Sequence, residues 1–426
     1  MLDAHRSPLI RDGSVVLRPR YRAGASVSSG GLLLLAVVTF LLIGRAPEIF
    51  TFLLPLRPLL LTGLLLVAWA VTIPARPFPP PWSEPEVRVT LCLLGYAIAT
   101  IPFSIWPGES VEFVSGFSKV VVFVVVLVHC VRSARQITTI VWAVLVAALV
   151  LQLAILTGMG AAVSAEGDRA WATSTYDPND IAFIMACVLP LAFFRASSGK
   201  GVTKYTAGVI AFLCVVTAVK TESRGGFIAL VVVGAMLLLK SRGRLRWILA
   251  SLAFATLLGF ASTSHWDRIA TLWGDASDEV SQYEAAGLSA ARWQTWKNTT
   301  VLAVSYLPLG SGAGTNVTAE GWSHGGSGKW EAAHNSFLQI AVEMGIPGLT
   351  MFVMLLCGAI RSCRQLVRTA TGDAESNWIA NGLEISLYAY IVGAFALSQA
   401  YAPILYLLLG LTACLRRTRR QAKANA

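Results

Sequence analysis

The chain has 426 residues, of which 55% are hydrophobic and only 13% charged, whereas a soluble domain carries roughly a quarter charged residues. That balance excludes a water-soluble globular protein. The formal net charge of +11 is spread over short loops between apolar runs, which fits topology and anionic lipid rather than nucleic acid.

In chain order, residues 1–30 form a basic segment with Arg6, Arg11, Arg18, Arg20 and Arg22. It is long and lacks a small-residue cleavage pattern, so the first apolar run is expected to stay as an anchor. Apolar runs suited to membrane-spanning helices follow at 30–44, 56–73, 89–106, 113–131, 137–157, 179–195, 204–220, 226–240 and 245–262. A loop at 263–333 separates these nine, within residues 31–262, from three more at 334–360, 379–398 and 401–415, after which a basic tail occupies 416–426. The expected fold class is all-α, a polytopic membrane helix bundle of about 12 transmembrane helices with one long periplasmic loop containing helices.

Charge supports this count. With the N-terminus inside, alternate loops hold most of the 34 Lys and Arg, as expected of cytoplasmic loops. Both termini are then cytoplasmic, the chain is a multi-pass protein of the bacterial inner membrane, and 263–333 faces the periplasm. The seven cysteines have no paired or metal-binding spacing and read as apolar packing residues.

The loop at 263–333 is far longer than an ordinary connection, and six of the thirteen tryptophans fall in it: Trp266, Trp273, Trp293, Trp296, Trp322 and Trp330. Such rings either anchor helices at headgroup depth or stack on sugar faces and isoprenoid tails. Ser289 is placed to cap a helix through Arg292, Trp293, Trp296 and Leu302 that stops before Pro308. Arg292 would then lie in a first turn, where amides, dipole and guanidinium together suit phosphate, or else act as a snorkelling cation. The glycine-rich run 308–314 lacks the Lys and Ser/Thr of a nucleotide loop, and Gly325, Gly326 and Gly328 read as a tether.

Three further points on the outer side carry polar groups. Lys220, Glu222 and Arg224 crowd one turn, and Arg224, followed by Gly225 and Gly226, is suited to bind an anion. Asp177, Pro178, Asn179 and Asp180 open the sixth span as a helix cap or as a site. His334 and Asn335 open the tenth, and histidine exchanges a proton near neutral pH. No His-Glu-x-x-His pair or Gly-x-Ser-x-Gly turn is present, so a metal enzyme or serine hydrolase is not expected. Lys119 and Glu343 lie inside spans, without a role assigned by sequence.

At these residues the sequence resembles the O-antigen ligase and Wzy polymerase superfamily, membrane glycosyltransferases that move glycans off undecaprenyl diphosphate. Four blocks carry the resemblance: YDPNDIA at 176–182, ESRGGF at 222–227, RWQTWKN with PLGSGAG within 292–314, and HNSFLQIAVEMGIPG at 334–348. The resemblance implies that Arg224 and Arg292 hold the donor diphosphate and that His334 acts at the acceptor hydroxyl, with no metal and no other cofactor. Asn179, Asp180 and Asn335 are the candidates for binding sugar hydroxyls. The implied partners are an undecaprenyl-diphosphate-linked glycan donor, a glycan or lipid A-core acceptor, and membrane lipids.

The expected activity is thus an O-antigen ligase-like, metal-independent, inverting transfer at the periplasmic face. A Wzy-type O-antigen or exopolysaccharide polymerase differs from it in the acceptor, as does transfer to protein. A lipid-linked oligosaccharide transporter or flippase would also use many spans, but internal repeats and midplane charges are its marks, and here most polar groups sit at the outer ends of spans. A scaffold for other envelope enzymes would need no convergence of two arginines and a histidine. The oligomeric state is left open.

Overall fold

The computed structural model describes residues 29–73, 79–159, 173–241, 279–326, 329–369 and 373–425. Among these the regular elements are all helical: α1 (Ser29–Gly44), α2 (Ala46–Ile49), α3 (Pro58–Val71), α4 (Pro85–Thr100), α5 (Pro107–Cys130), α6 (Ala134–Thr157), α7 (Pro178–Ser198), α8 (Val202–Lys220) and α9 (Arg224–Lys240). Beyond residues 242–278 come α10 (Glu279–Ser305), α11 (Asn316–Gly326), α12 (Ser336–Thr369), α13 (Ala374–Ala394) and α14 (Pro403–Asn425). Eleven of the twelve apolar runs coincide with a helix, and the run at 245–262 lies outside the described residues, as do Trp266 and Trp273. Seven helical segments, Thr51–Val71 and those of α4 to α8 and α12, are long and apolar enough to cross a membrane, so the chain is a multi-pass membrane protein.

Helix α7 lies at the centre. It is apolar on every side, the pattern of a helix surrounded by protein, and it packs on α6, α8, α9 and α13. Small residues set the spacing, as helices in lipid require. A Cβ at Gly226 of α9 would overlap Ala182, and one at Gly393 of α13 would overlap Phe183. By contrast α3 exposes Leu60, Leu61, Leu64, Leu65 and Val71.

Helix α12 is broken at Gly345 (φ 58°, ψ −152°), two residues before Pro347. The break frees backbone groups that must find partners in an apolar medium. The glycine-rich run supplies them: Ser311 N donates to Val342 O at 2.8 Å, Gly312 N to Glu343 O at 3.0 Å, and Ile346 N to Pro308 O at 3.0 Å. Gly310, Gly312 and Gly314 all have positive φ, and a Cβ on any of them would overlap Glu343, Ser104 or Phe113. This run therefore serves close backbone docking. The Glu343 carboxyl, 1% exposed, is held by Tyr401 Oη at 2.7 Å and Gln339 Nε2 at 3.4 Å, so its partners are not Lys119.

A second group of polar contacts closes the bundle where α4 begins and α14 ends. Arg416 donates through Nε to Glu84 at 2.7 Å and through Nη1 to Glu86 at 2.8 Å, both acids being buried. Lys240 pairs with Glu384 at 2.5 Å. The residues expected as a basic tail thus continue α14 as helix, and Arg416 belongs to the packed interior. Among the cysteines, Cys130, Cys187, Cys214, Cys363 and Cys414 are buried as packing residues, but Cys92 and Cys357 are exposed.

Candidate active site

The starts of α5, α7, α9, α12 and α14 gather under α10 and α11. Two contacts dock the glycine-rich run on this surface, Ile105 N to Ser311 O at 2.8 Å and Tyr96 Oη to Leu309 O at 3.0 Å. Thr318 of α11 donates to Glu109 of α5 at 2.5 Å.

His334 lies two residues before the start of α12 and has a left-handed backbone (φ 47°), uncommon for a residue with a side chain and concentrated at functional sites. Its carbonyl accepts the indole Nε1–H of Trp296 at 3.2 Å. Arg292, Thr295, Trp296 and Thr299 share one face of α10 at helical spacing. Thr295 donates to Glu331 at 3.4 Å, so this face meets the 331–334 segment. Burial and the neighbouring Arg292 guanidinium hold the His334 pKa below 6.5, against the opposing pull of Asp177 and Glu331. Arg292 is itself desolvated, and Asp177 is the acid that favours its charge. Arg292, His334 and Asp177 thus form one electrostatic cluster built from three distant parts of the chain.

The expected helix start at Ser289 is corrected: α10 runs unbroken from Glu279, so Arg292 lies within the helix rather than in its first turn. The phosphate-binding argument for it therefore rests on the guanidinium alone. Arg224 occupies the first turn of α9, whose N-cap Ser223 accepts Gly226 N at 3.1 Å. The expected role of Gly225 and Gly226 in ligand approach is also corrected. Gly225 faces Ala396 in the connection after α13, and Gly226 lets α9 close on Ala182 of α7. The same close approach puts Arg224 within about one turn of the start of α7.

At that start Asp177 and Asp180 form a reciprocal capping box, with Asp180 N donating to Asp177 Oδ1 at 2.7 Å. Asn179 Nδ2 contacts Asp177 at 3.4 Å. Asn335 caps α12, its Oδ1 accepting Phe337 N at 2.9 Å and Leu338 N at 3.1 Å, which leaves only its amide NH₂ for a ligand.

Sequence reasoning missed one contributor and the partners of another. Asp177 reads there as part of a helix cap or of a site, and only folding brings it to Arg292 and His334. Gln399 does not stand out at all: its Nε2 donates to Asp180 Oδ1 at 2.5 Å, its N–H to Ser336 Oγ at 2.9 Å, and its carbonyl accepts Tyr390 Oη at 2.7 Å. It ties the starts of α7 and α12 together. A lone Gln in a short connection carries no sequence signal for this.

The described loop tryptophans divide. Trp296 supports His334, Trp322 packs on Trp106 with centroids 5.6 Å apart, Trp330 lies over Gly321, and Trp293 stays exposed beside Lys297 at 5.3 Å. Among the described residues, no three His, Cys, Asp or Glu side chains gather as a metal donor set.

No curated protein matches the chain. Residues 209–353, which include Arg224, Arg292 and His334, match the family model for O-antigen ligase. That match covers about a third of the chain and falls on three of the four blocks that carry the sequence resemblance to the O-antigen ligase and Wzy superfamily.

Proposed function

We propose that the protein is an inverting glycosyltransferase of the bacterial inner membrane, with twelve spans, cytoplasmic termini and its site at the periplasmic face. It moves a glycan from undecaprenyl diphosphate to an acceptor hydroxyl. The observation that carries this reading is the partly buried His334 beside the Arg292 guanidinium, just before α12, where burial and that charge lower its pKa.

A neutral imidazole can take the acceptor's hydroxyl proton. The acceptor oxygen then bonds to the anomeric carbon from the face opposite the diphosphate. The carbon–oxygen bond to the diphosphate breaks, and the electron pair leaves with undecaprenyl diphosphate. The negative charge developing there is stabilised by Arg292 and Arg224, and stabilisation of this electrostatic kind usually contributes more to catalysis than any other single effect. Direct displacement needs no protein nucleophile. In this reading Asn179, Asp180 and the Asn335 amide, near the starts of α7 and α12, bind sugar hydroxyls.

The ligase reading takes lipid A-core as acceptor, and the polymerase reading takes a growing glycan, with the same chemistry. Purified protein should be given an undecaprenyl-diphosphate glycan and each acceptor, comparing wild type with Arg224→Ala, Arg292→Ala and His334→Ala. Each variant should lose roughly 10²–10⁴-fold in rate. Folded variants that keep the wild-type rate would sink the proposal.

A further inference from the structure

Helices α1, α3 and α5 enclose a groove of about 700 Å³, apolar along most of its length and also touched by Pro403 at the start of α14. Its walls are one face of each of two helices: Leu60, Gly63, Leu64 and Val67 of α3 oppose Gly116, Lys119, Phe123 and Val126 of α5. The two glycines make the room, since a Cβ at either would meet nothing within 4 Å. Opposed apolar helix faces that run side by side suit a long apolar chain laid between them.

Four charged residues line this groove: Arg45, Glu48, Arg57 and Lys119. Glu48 is committed to Arg45 at 3.6 Å and to Thr175, whose N–H and hydroxyl donate at 2.9 and 2.6 Å. Among the described residues, neither Arg57 nor Lys119 forms an ion pair. Lys119 lies about 18 Å along α5 from Pro107, within an apolar span, where an unpaired ammonium is costly and marks an ion or substrate path. Arg45 and Arg57 both have left-handed backbones (φ 47° and 43°), the local strain that collects at functional positions. The mouth adjoins the candidate site, because the Arg45 guanidinium lies 5.5 Å from the Tyr176 ring centroid, next in sequence to Asp177.

We infer that this groove is the lateral binding lane of a single-chain polyprenyl diphosphate, its tail along α3 and α5 and its diphosphate met by Arg57 and Lys119. The assignment rests on the proposed donor chemistry. Three cations against one acid leave two positive charges, which complement a diphosphate better than the single charge of a phosphodiester headgroup. The (CH₂)₄ stem of Lys119 is long enough to carry its ammonium up toward the head. From this lane the head has a short path past Arg45 and Tyr176 to Arg292.

The test uses full-length protein in phosphatidylcholine nanodiscs with undecaprenyl diphosphate carrying a photoreactive group in its tail. Labelling should fall on peptides of α3 and α5, and should drop about tenfold or more in Lys119→Leu and in Gly116→Phe. Excess undecaprenyl diphosphate should compete and excess phosphatidylglycerol should not. Equal competition by phosphatidylglycerol would mean a bulk-lipid slot only and would overturn the assignment, as would labelling elsewhere or labelling unchanged in both variants. The competition arm needs wild type alone and so does not depend on either variant folding. If wild type transfers glycan while its tail label falls elsewhere, the groove assignment fails and the transferase reading stands. If wild type neither takes the label nor transfers glycan, the transferase reading fails with it.

Discussion

The proton-accepting capacity of His334 comes from its surroundings more than from an acid partner. Burial is the main cause of its lowered pKa, Arg292 adds to it, and Asp177 and Glu331 oppose it. Transfer should therefore be flat around pH 7 and fall only as pH drops through a value below 6.5. Arg292→Gln removes one lowering cause, so the acid limb of its residual activity, or a histidine NMR titration, should move up toward 6.5. Asp177→Asn should move the limb down, and a shift in the same direction for both would break the cluster as described. The stability sign follows from the same direction. With the folded pKa depressed, the unfolded chain binds the proton more readily, so His334 costs nothing well above 6.5 and costs stability as pH falls from there through its folded value. The histidine and both arginines were legible as residue types at the ends of apolar runs. Their mutual distance was not, because Asp177, Arg292 and His334 meet only when the starts of α7 and α12 pack under α10.

At the level of the elements, the break in α12 fixes the floor of the site. Gly345 has φ 58°, and a Cβ there would overlap the Pro308 carbonyl oxygen. Gly345→Ala should cost about 1–3 kcal/mol from backbone strain alone, with the overlap added, and should lower the thermal midpoint in detergent. Gly95→Ala in α4, where a Cβ meets nothing within 4 Å, is the matched control and should gain about 0.5–1 kcal/mol as a helix-interior replacement. Equal midpoints for the two variants would refute the docking role of the break. The sequence reads 334–360 as one continuous apolar span, so the break at Gly345 was not legible there. Its partner was hidden, because the pairing of 308–314 with 342–346 is tertiary and glycine richness alone reads equally well as a ligand loop. Ser289 misled for a related reason: serine caps helices only where the preceding residues cannot continue them, and here they do.

The bundle as a whole was the most legible level, because a chain in lipid must satisfy its backbone within helices, which makes apolar run length a direct reading of structure. What hydropathy could not display is the pairing that closes one end. Arg416 binds the buried Glu84 and Glu86, so Arg416→Ala should leave Glu86 without its cation and Glu84 with Arg420 alone at 3.5 Å, and cost about 3–5 kcal/mol, with partial recovery of the thermal midpoint on adding Glu86→Gln. No recovery would mean that α14 packing, rather than charge, was lost.

Sidedness decides whether the site can meet a periplasmic acceptor at all. Lys297, on α10 beside Trp293, and Lys200, between α7 and α8, are both exposed and lie at opposite ends of the bundle. Each can be replaced by cysteine in a background lacking the exposed Cys92 and Cys357. In spheroplasts a membrane-impermeant maleimide should label Lys297→Cys at once and Lys200→Cys only after permeabilisation, as the cationic inner loops require. The opposite pattern would put Arg292 and His334 on the cytoplasmic side, where a glycan already carried across the membrane would be out of reach, and the proposed transfer would have to be abandoned.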